Sequence, residues 1–183
     1  MFNVEDLKIQ WFPGHMTKAK RKMQESIKLV DIVIEMLDAR IPYSSSNPML
    51  MDIIGNRQKI IVLNKIDLAD KNTLQHYVES FKERGITVVM LNSASGTDYK
   101  KLLGAIKQVA KPMLDKWAAK GVRNKTTRVM IAGVPNVGKS SLINRMVGKA
   151  KAKTGDTPGV TRGEQWLKIA ENIELLDTPG ILW

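Results

Sequence analysis

The sequence predicts an α/β fold with a six-stranded, mostly parallel sheet flanked by helices, and three observations predict it. Short apolar, β-branched runs alternate with stretches of helical periodicity along the chain. Those runs are apolar on both faces, as strands covered by helices on two sides must be. A glycine-rich turn joins the fourth run to a helix, a junction that belongs to α/β units.

Taken in order, residues 17–29 read as a basic helix with Thr17 as its cap. Asp31 to Leu37 (DIVIEML) is the first strand, and a helix with proline in its first turn runs from Pro48 to Ile54. Lys59 to Leu63 (KIIVL) is the second strand; a helix over residues 72–84 follows and stops at Gly85. Ile86 to Leu91 is the third strand. The helix from Asp98 to Trp117 presents Leu102, Leu103, Ile106 and Val109 on one face. Residues 118–127 are basic and irregular and read as a linker. Arg128 to Ala132 is the fourth strand, residues 141–147 form a helix, and residues 149–163 read as a polar loop. The last strands are Glu164 to Ala170 and Ile173 to Leu176. Residues 1–30 are expected to be an N-terminal extension bearing the basic helix, and residues 31–183 the domain that carries the motifs below.

Composition narrows the function classes. A chain of 183 residues fits one domain, or one domain with an appendage, and 43% hydrophobic residues suffice for one core. No apolar run is long enough to span a bilayer, and the acidic, unpatterned first ten residues are not a secretory signal. With no cysteine and two histidines, disulfides and thiolate or zinc sites are not expected, and a reducing cytoplasm is the natural setting. The net charge of +11 favours an anionic macromolecule as partner, against the plainer reading of a basic enzyme without one.

Gly133-Val134-Pro135-Asn136-Val137-Gly138-Lys139-Ser140 matches G-x-x-x-x-G-K-[ST] between a strand and a helix. Such a loop turns backbone N–H groups inward around phosphates, and the helix N-terminus adds positive partial charge. Lys139 is expected on the β and γ phosphates and the Ser140 hydroxyl on Mg2+; Ser141 follows on the same helical turn. Asn64-Lys65-Ile66-Asp67 ends the second strand, at the edge where α/β proteins bind ligands. The Asp67 carboxylate can accept from both the ring N–H and the exocyclic amine of guanine, a donor pair that adenine lacks. Lys65 can lie along the base plane while Asn64 ties loops together. Asn92-Ser93-Ala94 follows the third strand, either as an amide donor to the guanine oxygen or as a plain turn. Asp177-Thr178-Pro179-Gly180 ends the last strand, with Asp177 placed to hold Mg2+ through water and the Gly180 N–H to meet the γ-phosphate. In Thr157-Pro158-Gly159-Val160-Thr161, Thr161 is the candidate magnesium ligand and Thr157 its competitor.

These motifs resemble those of the translation-factor-class GTPases, whose usual order is phosphate loop, switch threonine, DxxG, NKxD, Ser-Ala turn. Here NKxD and the Ser-Ala turn come first, which is a circular permutation and predicts that the strand from Asp31 lies in one sheet with the strand that ends at Ala132. Within the permuted class, residues 9–16 (IQWFPGHM), 38–42 (DARIP), 155–161 (GDTPGVT) and 175–183 (LLDTPGILW) resemble the bacterial ribosome biogenesis GTPase A family. The resemblance implies GTP hydrolysis to GDP, cytoplasmic assembly of the large (50S) ribosomal subunit, and contact with its rRNA. The family continues into a C-terminal helical domain that helps bind rRNA; on this resemblance the present chain would lack it and the helix after DxxG.

Ile181 stands where many GTPases carry the glutamine that orients the attacking water. The resemblance points to His15 as a substitute, and a structural histidine in a Pro-Gly turn is the competing reading. Asn136 resembles the asparagine of potassium-activated GTPases, where its side chain would help hold K+; a turn-favouring residue is the alternative. Trp11, Phe12 and Trp117 fit core or interdomain packing better than base stacking. The rivals to a GTP-hydrolysing assembly switch are a non-hydrolysing RNA-binding module and a GTPase of tRNA modification or membrane transport.

Overall fold

A computed structural model describes residues 13–55, 57–93, 95, 98–154 and 165–177. The elements run α1 (Pro13–Lys28), β1 (Ile32–Asp38), α2 (Pro48–Ile54), β2 (Gln58–Asn64), α3 (Lys71–Glu83), β3 (Thr87–Leu91), α4 (Tyr99–Ala119), β4 (Thr127–Ala132), α5 (Lys139–Thr154), β5 (Gln165–Ala170) and β6 (Ile173–Asp177). One six-stranded sheet contains all the strands in the order β3-β2-β1-β4-β6-β5. Every neighbouring pair is parallel except β5 and β6. The expected single sheet is therefore present, and β1 pairs directly with β4, Ile32 opposite Val129 and Glu35 opposite Ala132.

All seven residues of β1 are buried, because helices cover both faces. Ile32, Ile34 and Met36 join Leu102 and Ile106 of α4 and Leu142 and Met146 of α5 in one cluster. On the other face, Val33 packs with Met23 and Ile27 of α1 and Leu50 and Ile54 of α2. Leu37 packs beside Leu74, Val78 and Phe81 of α3. The alternation of side chains along β1 thus separates two helical layers.

Several boundaries differ from the sequence reading. The first helix begins at Pro13, so Thr17 lies inside it rather than capping it; proline suits a first turn, whose N–H groups have no intrahelical partner anyway. The cap of α3 is Asp70, which accepts from the Thr73 N–H at 2.8 Å, and Gly85 ends the helix region with φ +71°. Residues 139–154 are one continuous helix, so the expected polar loop over 149–163 is helical as far as Thr154. Its Lys-Ala-Lys-Ala-Lys run is polar yet made of good helix formers. The rest of that loop, with Thr157 and Thr161, lies outside the described residues.

The chain places β2 and β3 on one side of β1, and β6 and β5 on the far side of β4. The strand order therefore reverses between β1 and β4, which puts a crevice at their carboxyl ends, the position where open α/β sheets bind ligands.

Candidate functional site

Three loops converge on that edge. The loop Gly133–Gly138 leaves β4 and enters α5, and Pro135, Asn136, Gly138, Lys139, Ser140 and Ser141 line a cleft of about 360 Å³. Its turns demand special backbone conformations: Asn136 has φ +61° and Gly138 φ +105°. A Cβ on Gly138 would collide with the Asn64 amide and crowd the Ser93 hydroxyl. A Cβ on Gly133 would stand 2.5 Å from the Met36 carbonyl oxygen, so this loop passes hard against β1.

Lys139 folds back over the loop. Its Nζ donates to the carbonyls of Gly133 and Val134, each at 2.7 Å. Burial lowers its pKa to about 8, since taking the ammonium out of water disfavours the charged form. Ser140 and Ser141 are exposed on the first turn of α5, beside Lys139.

Asn64 is the central tie. It is 1% exposed, and its amide nitrogen donates to the Val137 carbonyl at 2.7 Å and the Ser93 hydroxyl at 3.0 Å. Its carbonyl accepts the Ser93 N–H at 2.8 Å. One side chain at the end of β2 thereby fastens the turn after β3 to the loop after β4. The expectation that Asn64 links loops is met, and the phosphate loop is one of them. Asp67 is exposed on a short 3-10 turn, Ile66–Leu68, directly beyond it.

Ser93 is buried with its own N–H engaged, so an amide for a base oxygen would have to come from its neighbours. Asn92 precedes it, with its N–H directed at Asp98 and its carbonyl accepting from Ser95. Ala94 lies outside the described residues, as does Gly180. The backbone of Asp177 closes β6, which lies beside β4, so it ends next to the phosphate loop; its side chain is outside the described set. His15 falls in the first turn of α1, again with its side chain outside that set. Trp11, Phe12 and Ile181 lie outside the described residues. Trp117 is 39% exposed near the end of α4 rather than in the core, with Lys120 and Lys125 near its ring.

Two residues of the site had no role in the sequence reading. Asp38 ends β1, is buried, and takes a fork of hydrogen bonds from Arg40: Nε to Oδ1 at 2.9 Å and Nη2 to Oδ2 at 2.7 Å. Arg40 N–H and Lys65 Nζ complete its shell at 3.1 and 3.0 Å. The Arg40 hydrogen bonds, more than any other contact, hold the Asp38 carboxyl far below the usual carboxylate range. A carboxylate at the carboxyl end of a predicted central strand was the available signal.

A phosphate loop and an N-K-x-D loop, tied together at the carboxyl edge of this sheet in this chain order, define a circularly permuted P-loop GTPase domain. Residues 128–183 match the family described as "50S ribosome-binding GTPase". The chain is 50% identical over 175 residues to ribosome biogenesis GTPase A of Bacillus cereus, covering 96% of this chain and 59% of that protein. Against the protein of the same name from Bacillus licheniformis the figures are 51%, 96% and 62%. The crystal structure of GNP-bound YlqF from T. maritima superposes with a TM-score of 0.61 at 32% identity, over 91% of this chain and 59% of that one. The present chain is a homologue of the ribosome biogenesis GTPase A proteins, and it spans about three-fifths of the length of these curated relatives.

Proposed function

We propose that this domain binds guanine nucleotide in the crevice between β1 and β4, hydrolyses GTP to GDP and phosphate, and acts in assembly of the large ribosomal subunit in the cytoplasm. The observation that carries the nucleotide site is the Asn64 tie: the loop that would read the base and the loop that would cradle phosphate are one hydrogen-bonded unit. Asp67 would take the guanine edge, and Asn92, Ser93 and Ala94 would close the base pocket. Gly133, Asn136, Val137, Gly138, Lys139, Ser140 and Ser141 would hold the phosphates. Lys139 already points two strong donors into its own loop; a polyphosphate would replace those carbonyls with charge-assisted partners.

Magnesium suits the oxygen donors offered, namely the Ser140 hydroxyl at the cleft with Asp177 ending the adjacent strand. Thr161 would join them and the Gly180 N–H would meet the γ-phosphate. When bound, the ion neutralises charge between the β and γ phosphates. Asn136, held in the left-handed region at the cleft, is the candidate for a K+ contact. His15 is the candidate for orienting the attacking water. Residues 31–183 are proposed as the GTPase unit and residues 1–30 as its N-terminal extension.

The ribosomal part rests on kinship: relatives half identical to this chain carry the name ribosome biogenesis GTPase A. The net charge of +11 agrees with an RNA-rich partner. Among the described residues no helix is long and apolar enough to cross a membrane. The test is GTP turnover with and without large ribosomal subunits, in potassium and in sodium. Stimulation by subunits is expected; no turnover under any of the four conditions refutes the hydrolase reading.

A further inference from the structure

Lys65 adopts φ +63°, a left-handed conformation uncommon for a non-glycine residue, and it does so in the first position after β2. Strain of this kind persists where the surroundings over-determine it. Here the surroundings are Asp38: the lysine side chain is half-buried and its Nζ lies 3.0 Å from Asp38 Oδ2. Asp38 is itself immobilised. Arg40 grips both of its carboxylate oxygens. The Asp38 N–H donates to the Ser45 hydroxyl at 3.0 Å, and that hydroxyl donates to the Pro42 carbonyl at 3.1 Å. The strand end, the loop after it and the lysine are therefore one fastened unit at the switch point of the sheet.

We propose that Asp38, locked by Arg40, is a positioning residue for the nucleobase. It extends the Lys65 side chain along the wall of the base slot before nucleotide arrives, and it touches no nucleotide atom itself. The inference rests on the reading that Asn64-Lys65-Ile66-Asp67 receives guanine. A long lysine chain loses much rotamer freedom when it is ordered. Ordering it in the free protein removes that cost from binding, which is the gain preorganisation brings.

The test compares ligands with and without a base. In calorimetric titrations with magnesium, Asp38→Asn is expected to weaken GDP and GTP alike by about tenfold, the scale of ordering one such side chain. Binding of inorganic triphosphate, which has no base, should stay within about twofold of wild type. In a Lys65→Met background, Asp38→Asn should cost nothing further, because its route of action is gone. Arg40→Ala, which keeps the carboxylate, should shift GDP affinity in the same direction by less, and it serves if Asp38→Asn fails to fold. Equal weakening of GDP and triphosphate, or additive effects of Asp38→Asn and Lys65→Met, overturns the proposal. A wild-type protein indifferent to guanine would instead refute the underlying base assignment.

Discussion

Replacing Asn64 with alanine is the most direct perturbation of the site, because one buried amide makes three hydrogen bonds between loops. The substitution removes the donor to Val137 O, the donor to Ser93 Oγ and the acceptor for Ser93 N–H. The Ser93 hydroxyl oxygen loses an incoming donor and can rotate to another partner. The Val137 carbonyl and the Ser93 N–H cannot move without their chains. An orphaned buried polar group costs about 1–3 kcal/mol, so two cost roughly 2–6 kcal/mol. For a domain of this size each kcal/mol lowers Tm by about 2–4 °C, which gives a fall of roughly 4–24 °C. The loss is a large share of the ~5–15 kcal/mol that holds a typical domain together. Thermal unfolding followed by circular dichroism reads the stability, and GDP titration at low temperature reads the site. Affinity should fall as well, since the phosphate loop loses its tether to the base loop. A Tm within 2 °C of wild type, or wild-type affinity for GDP, would refute the argument that Asn64 couples the loops.

The other expectations follow from single groups. The Lys139 ammonium, with its folded pKa lowered to about 8 by burial, binds fewer protons folded than unfolded between that value and the ordinary lysine range. Stability of the nucleotide-free protein should therefore rise with pH through that window and flatten above it; denaturant melts from pH 7.5 to 10 that show a decline assigned to this residue, absent in Lys139→Met, would contradict it. Phosphate contact restores the proton, so GDP binding near pH 8 should take up roughly half a proton, measured by calorimetry in two buffers of different ionisation enthalpy; zero uptake counts against the assignment. Asp67→Asn should weaken GTP binding and favour xanthine nucleotide, whose second carbonyl suits an amide donor; full GTP affinity in the variant would remove Asp67 from the base site. His15→Ala should leave GDP affinity nearly intact and lower single-turnover hydrolysis by about ten- to a thousandfold, most with ribosomal subunits present; equal rates would make His15 structural and pass the role to the cation at Asn136 or to RNA.

How much of this was legible in the sequence depended on whether a feature is local. Lys139 and Asn64 were readable because their motifs sit on strand ends that the apolar runs already mark. The six strands were readable for the same reason, each within one or two residues. The Asp38–Lys65 pair was not, since 27 residues separate its members and no spacing rule joins a strand end to the next loop. The Asp70 cap was visible in principle, standing directly before Lys71, but a charged loop residue offers many rival starts. The long α5 was misread because Lys149 to Thr154 is polar, and polarity argues for a loop while the same residues favour a helix.

Permutation leaves the site intact because the site depends on strand ends and not on chain order. Asn64 reaches Val137 across 73 positions of sequence, and the bond would be the same with either segment first. What the order changes is the connection that must be long. From β3 at one edge the chain has to return to the middle of the sheet and to its opposite end to begin β4 in parallel. The 21 residues of α4 extend about 30 Å, more than the length of a five- to seven-residue strand, and the helix brings Trp117 to a cleft it shares with Gln58, where β2 begins. The return is then fastened at the start of β1. Asp31 accepts Lys125 Nζ at 3.1 and 3.2 Å and the Arg128 N–H at 2.9 Å, while the Asp31 N–H donates to the Arg128 carbonyl at 2.8 Å. One carboxylate thus holds the segment that the usual order does not need against the start of β1, where β1 pairs with β4, and the same pairing brings the Met36 carbonyl close to Gly133.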